Sequence, residues 1–208
     1  MKRITFALIL LFLVMAAMVM VPSDSNAAAV TYTVQSGDSL WKIAVKYQVG
    51  VSELISLNPQ LKNPNLIYVG EKIYIPATPE ITAVEKEVAR LVNVERAKNG
   101  LPALAYNWQL ARVARIKSED MKNNNYFSHT SPTYGSPFTM MRSFGISYTA
   151  AGENIAMGQR TAAEVMNGWM NSPGHRSNIL NSSFTQIGVG YAKDSYGRGY
   201  WTQQFIRP

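Results

Sequence analysis

Five residues, Pro76-Ala77-Thr78-Pro79-Glu80, constrain this chain more than any others. Each proline locks its own φ and lacks a backbone donor, so the segment favours an extended, semi-rigid spacer rather than a helix or central strand. The sequence therefore reads as two modules, 31–76 and 83–208, with 77–82 as linker.

A leader precedes them. Lys2 and Arg3 stand before an uncharged apolar run from Phe6 to Val21, Pro22 ends any helix, and Ser25 and Ala27 place small residues at a cleavage position. Residues 1–27 read as a signal peptide. An uncleaved helical anchor is the alternative, because the run approaches bilayer-spanning length; this is the one membrane contact the sequence offers. Either form puts the remainder outside the cytoplasm. There the absence of cysteine counts: an exported chain of 208 residues without a single Cys has no disulfide scaffold, Cys-ligated metal or thiol nucleophile, and relies on packing alone.

The formal charge of +7 raises a nucleic-acid reading that its placement removes. Nearly all the excess lies in 83–208, scattered without adjacent Lys/Arg pairs, as in a solvated face compatible with an anionic wall matrix. No nucleic-acid partner is expected.

In the first module, Thr31 to Val34 alternates as a strand and Ser36-Gly37-Asp38 turns. Ser39 is a helix cap, followed by Leu40, Ile43, Ala44 and Tyr47 on one face. Gly50 is expected to close that helix, Ser52 to open a second, and Asn58-Pro59 to stop it. Lys72 to Pro76 returns as a strand, giving β-α-α-β. The stretch YTVQSGDSLWKIAVKYQVGVSELISLNPQLKNPNLIYVGEKIYIP resembles a lysin motif (LysM) along its whole length. The resemblance implies binding of N-acetylglucosamine glycans such as peptidoglycan or chitin. It places Gly37, Asp38, Ser39 and Leu40 on one wall of the groove, with Leu66 and Ile67 on the other; core packing is the alternative for the last two. Turn backbone and apolar side chains are suited to acetamido groups and sugar faces.

The second module begins with two amphipathic stretches. Val84, Val88, Leu91 and Val92 form one stripe, and Leu110, Val113, Ala114, Lys117 and Met121 fall at helical steps in the next. Residues 123–137 read as loop, 161–169 as helix broken by Ser172-Pro173-Gly174-His175, and 186–192 with 199–206 as a hairpin around Asp194 to Gly197. The class is α+β. LVNVERAKNGLPAL, YFSHTSP, GENIAMG, GWMNSPGHRSNILN, IGVGYA and YWTQQF, in this order, resemble the CAP superfamily (cysteine-rich secretory proteins, antigen 5, pathogenesis-related proteins) in its bacterial branch.

That resemblance implies an α-β-α three-layer sandwich and a cleft holding His129, Glu153 and His175. A second cleft Glu, three residues after a Trp in animal and plant members, is replaced by Ser172 after Trp169, with Glu164 as the one nearby substitute. Two His and a Glu are compatible with a divalent metal such as Zn²⁺ and an activated water, and also with a structural hydrogen-bonded cluster. Ser128, Ser131 and Ser172 flank the two His; Asn154 and Asn178 read as turn and cap residues. The expectation is a secreted, cell-wall- or spore-envelope protein that binds peptidoglycan through its first module and displays a CAP domain without enzymatic activity. A metal-assisted hydrolase of peptidoglycan or peptide using the His129/Glu153/His175 cleft, and a lipid carrier, are the alternatives.

Overall fold

The computed structural model describes residues 30–76 and 81–208, so the leader and most of the linker expectation lie outside the described residues. The first module has the order β1 (Val30–Thr33), α1 (Leu40–Tyr47), α2 (Val51–Leu57), β2 (Lys72–Ile75). The strands pair antiparallel, Val30 opposite Ile75 and Thr33 opposite Lys72. Leu40, Ile43, Ala44, Leu54, Ile73 and Ile75 fill its core, as the period of α1 predicts. Ser39 caps α1 by accepting from the Lys42 N–H at 3.2 Å.

The helix boundary differs from expectation. Gln48, not Gly50, takes the left-handed conformation that ends α1, at φ 55°. Gly50 instead opens α2, where its N–H donates to Glu53 Oε2 at 2.8 Å. A Cβ at position 50 would sit 2.4 Å from the guanidinium of Arg112 in the second module, the far end of a flexible side chain. That guanidinium donates to Glu53 Oε1 at 2.7 Å and Ser52 Oγ at 3.1 Å, and lies over the Phe144 ring.

The second module runs α3 (Ile81–Lys98), β3 (Ala105–Tyr106), α4 (Trp108–Asn123), α5 (Pro137–Ser143), β4 (Ala150–Met157), α6 (Ala162–Met170), α7 (Pro173–Ile179), β5 (Gln186–Lys193), β6 (Gly199–Arg207). Its sheet has the order β3-β5-β6-β4, antiparallel except for the β3–β5 pair. Side-chain alternation splits the sheet into two faces. Ile187, Val189, Tyr191, Trp201 and Phe205 pack with residues of α3, α6 and α7. On the opposite face Ile206 packs with Leu110 and Val113 of α4 and Met140 and Met141 of α5. Helices on both faces make the expected three-layer α-β-α arrangement.

Two glycines set the spacing between α4 and the sheet. A Cβ on Gly188 would lie 2.3 Å from the Ala111 nitrogen, and one on Gly190 would lie 2.1 Å from the Ala114 carbonyl carbon. No side chain fits where helix backbone meets strand backbone this closely. The hairpin expected at 186–192 and 199–206 is present as β5 and β6. Three elements lie outside the sequence reading: α5, which begins where the loop reading of 123–137 ends; β3, too short for a period; and β4, whose GENIAMG stretch reads as a motif and not as a strand. The break at Ser172-Pro173 is real but brief, because Pro173 suits a first helical turn and the chain resumes as α7.

Candidate functional site

The polar cluster around Glu153 is built at β4, an edge strand of the sheet. Successive residues point to opposite faces, so Glu153 and Asn154 serve two different layers. Glu153 pairs with Gln204 of β6 and Asn154 with Gln203. The buried Glu153 carboxylate accepts from Gln204 Nε2 at 3.1 Å through Oε2. Its Oε1 lies 2.9 Å from His129 Nδ1. One proton is shared along this contact, carried by the imidazole Nδ1 when the carboxylate accepts. The pair joins a half-exposed imidazole to a carboxylate whose side chain is 1% exposed.

The loop carrying His129 is held from beneath. Lys117, at a core position of α4, is fully buried and donates to Tyr126 Oη at 2.9 Å and to the carbonyls of Ser128 at 2.8 Å and His129 at 3.0 Å. Burial lowers the Lys117 pKa, opposed by the charges of Glu153 and Asp120. Asp120, one turn along α4, accepts from the hydroxyls of Tyr126, Ser131 and Thr133 and from Asn124. Burial alone would raise the Asp120 pKa, and these donors overcome it and hold the carboxyl below its ordinary range. In the sequence Lys117 is one helical step among others; a lysine in an otherwise apolar stripe is the signal for this network.

The other layer brings His175. Asn154 Nδ2 donates to the His175 carbonyl at 3.1 Å and to Gln203 Oε1 at 3.1 Å. Asn178 Nδ2 donates to Asn154 Oδ1 at 2.8 Å and to the Glu153 carbonyl at 3.2 Å. Asn154 and Asn178 are therefore not turn and cap residues: they bolt α7, and with it His175, to β4. Burial lowers the His175 pKa, and the charge of nearby His129 adds to the effect.

Glu164 does not enter this cluster. It is exposed and accepts from the Arg160 N–H at 2.8 Å at the start of α6. The serines do not activate a base either. Ser131 Oγ donates to Asp120 at 2.7 Å, Ser128 Oγ accepts from the Thr130 N–H at 3.2 Å, and Ser172 begins α7. A metal would need nitrogen and oxygen donors converging on one point. Among the described residues no group of three or more His, Asp or Glu is so arranged, and His129 Nδ1 is turned to Glu153. The trio as placed does not fit an ion.

In the first module, the turn after β1 and the segment before β2 lie side by side: the Gly70 N–H donates to the Val34 carbonyl at 2.9 Å, and the Val34 N–H to the Glu71 carbonyl at 2.9 Å. Gly37 turns with φ +83° and its carbonyl accepts from Lys42 Nζ at 2.6 Å. Asp38 is occupied within the turn, accepting from Tyr32 Oη at 2.6 Å and the Gln35 N–H at 2.8 Å. The Tyr32 hydrogen bond holds the Asp38 carboxyl below its usual range and pushes the Tyr32 phenol up to about 12. Ser39 caps α1, and Leu40 is buried in the core rather than lining a groove. Ile67 packs partly against that core. Leu66 is exposed, and so are Tyr68 and Val69, which the sequence reading had not singled out.

The helix-covered sheet and its edge cluster define a CAP-type α-β-α sandwich, preceded by a small two-helix, two-strand module. The cysteine-rich secretory protein (CAP) family model matches residues 89–205, and the LysM domain model matches 32–76. The chain belongs to the CAP family and carries a LysM domain. It is 58% identical to the protein YkwD of Bacillus subtilis (strain 168) over 130 residues, 62% of this chain and 49% of that protein. It is 38% identical to the endolysin of Bacillus phage B103 over 60 residues, 29% of this chain and 23% of that one. A solved structure of an extracellular protein containing an SCP domain from Bacillus anthracis str. Ames superposes with a TM-score of 0.58 and 38% identity, covering 67% of this chain and 47% of that chain. The chain thus spans about half or less of the length of these relatives.

Proposed function

We propose that this is an exported protein of the cell wall or spore envelope that is retained on peptidoglycan-type glycan by its LysM module and displays the CAP sandwich there as a non-enzymatic unit. The observation that carries the glycan reading is the run of exposed apolar side chains Leu66, Tyr68 and Val69 just before Gly70, whose N–H meets the Val34 carbonyl at the start of the turn after β1; Trp41 on α1 is exposed as well. Apolar surface left uncovered near a turn suits a sugar face and its acetamido group. The kinship of part of the chain to a phage endolysin agrees with a wall polymer as ligand. Within this reading the glycan lies between the Gly37–Leu40 turn and the Leu66–Ile67 segment, with Asp38, Ser39 and Leu40 shaping the turn from behind.

The experiment is co-sedimentation of the full chain with purified peptidoglycan. Leu66→Ala/Tyr68→Ala is expected to lower the retained fraction about tenfold, the loss of roughly one well-buried contact pair. Undiminished retention overturns the reading. The rival metal-assisted hydrolase would use His129, Glu153 and His175. Release of wall fragments with Zn²⁺, lost in His129→Ala/His175→Ala, would establish it; equal fragment levels with and without the protein support the non-enzymatic assignment.

A further inference from the structure

Away from the Glu153 cluster, a surface cavity of about 460 Å³ is lined by Val84, Glu119, Lys122, Arg160, Tyr191, Ala192 and Lys193. Its three cations come from three separate elements: Lys122 from the last turn of α4, Arg160 from the loop between β4 and α6, and Lys193 from the end of β5. Among the described residues none of the three is in an ion pair, as is true of several other cations, but these three line one concavity. Glu119 offsets only part of the positive charge. Like charges converging on one concavity repel, and a counter-charge from outside relieves this.

We propose that this cavity binds a phosphate group of an anionic, base-free polymer of the envelope. Three cations on three separate elements can share the several oxygens of a phosphate, whereas a carboxylate offers two oxygens in one plane. The aromatic rings nearby are not free for stacking on a base. Tyr191 is buried with its centroid 4.1 Å from that of Trp201, which is itself fully buried, so nucleic acid gains nothing here beyond its phosphates. This site is independent of the glycan reading, and the two modules would then grip two different polymers of one matrix, which raises retention beyond either alone.

The test titrates the full chain with short-chain inorganic polyphosphate, polyglutamate and a single-stranded DNA of equal charge, at low and physiological salt. Lys122→Gln/Arg160→Gln/Lys193→Gln is compared with Lys62→Gln/Lys98→Gln/Arg207→Gln, which removes the same charge from exposed positions elsewhere. Expected is about a tenfold loss of polyphosphate affinity in the cavity variant, under about twofold in the control, and weaker binding of polyglutamate and DNA to the unaltered chain. Equal losses in both triple variants, or polyglutamate or DNA bound as tightly as polyphosphate, overturn the proposal. Because the side chains lie at the surface, matching melting curves keep the comparison readable, and Arg160→Lys alone is the fallback if the triple variant melts early.

Discussion

The two modules solve the same problem in opposite ways. The LysM module buries aliphatic side chains, with Asn58 as its one buried polar residue among those described, and leaves an apolar edge on its surface. The CAP module buries Glu85, Arg96, Lys117, Asp120, Glu153, Asn154, Gln203 and Gln204. Burying such groups is tolerable when hydrogen bonds meet most of their polar atoms, and here Arg96 Nη2, Gln203 Nε2 and Gln204 Oε1 are left without a partner. In the small module a site residue can change without touching stability. In the large one, site and stability are the same residues.

The sharpest break of this contrast is at Arg115, whose fork donates to Glu85 at 2.8 and 2.6 Å while Glu85 Oε1 also accepts from the Tyr191 N–H at 3.0 Å. Arg115→Ala strands a buried carboxylate between α3 and β5, and a loss of about 3–5 kcal/mol in urea unfolding is expected. Gly190→Ala forces a methyl into the α4 backbone; about 3 kcal/mol of lost stability is expected, since the neighbour is main chain and cannot step aside. In the small module Asn58 ties α2 to β2, donating to the Leu54 and Tyr74 carbonyls at 2.7 Å each and accepting from the Tyr74 N–H at 2.8 Å. Asn58→Ala is expected to cost about 2 kcal/mol, read as an earlier melting transition, by leaving these groups unpaired. Leu66→Ala/Tyr68→Ala, by contrast, is expected to stay within about 0.5 kcal/mol of the unaltered chain while glycan retention falls. Destabilisation there would erase the distinction between the modules.

The smallest effect is one of pH. The His175 pKa is depressed below 6.5 in the folded chain by burial and by His129. Above 6.5 both folded and unfolded chains carry it neutral, and stability is insensitive to it. As pH falls below 6.5 the unfolded chain takes up a proton that the folded chain resists, so stability declines until the folded-state value is passed. The fall in melting temperature between pH 7.5 and 5 is expected to shrink in His175→Gln; an unchanged fall would place the sensitivity elsewhere.

Local patterns were legible where a period is long enough to read. The stripe of α4, the alternation of β5 and β6 and the cap at Ser39 depend on neighbours in sequence, and all are present as expected. Gly188 and Gly190 could not be explained that way, because the atoms that forbid a Cβ are main-chain atoms of Ala111 and Ala114, on α4. The cleft was half legible. His129, Glu153 and His175 came from motif resemblance, and Glu153 does pair with His129. Lys117, Asn154 and Asn178, which hold that pair and its second layer in place, read as ordinary helix, turn and cap residues, since burial is invisible in a one-dimensional string.

Sequence alone determined that there are two modules, where most helices and the long hairpin lie, and which families they belong to, because prolines, hydrophobic periods and ordered motifs act over short stretches of chain. Only the tertiary structure decided which charges are buried and paired, that Glu164 stands outside the cleft, and that Lys122, Arg160 and Lys193 line one cavity. Those facts depend on elements brought together from distant parts of the chain, and the electrostatic cost of each charge is set by what surrounds it in space.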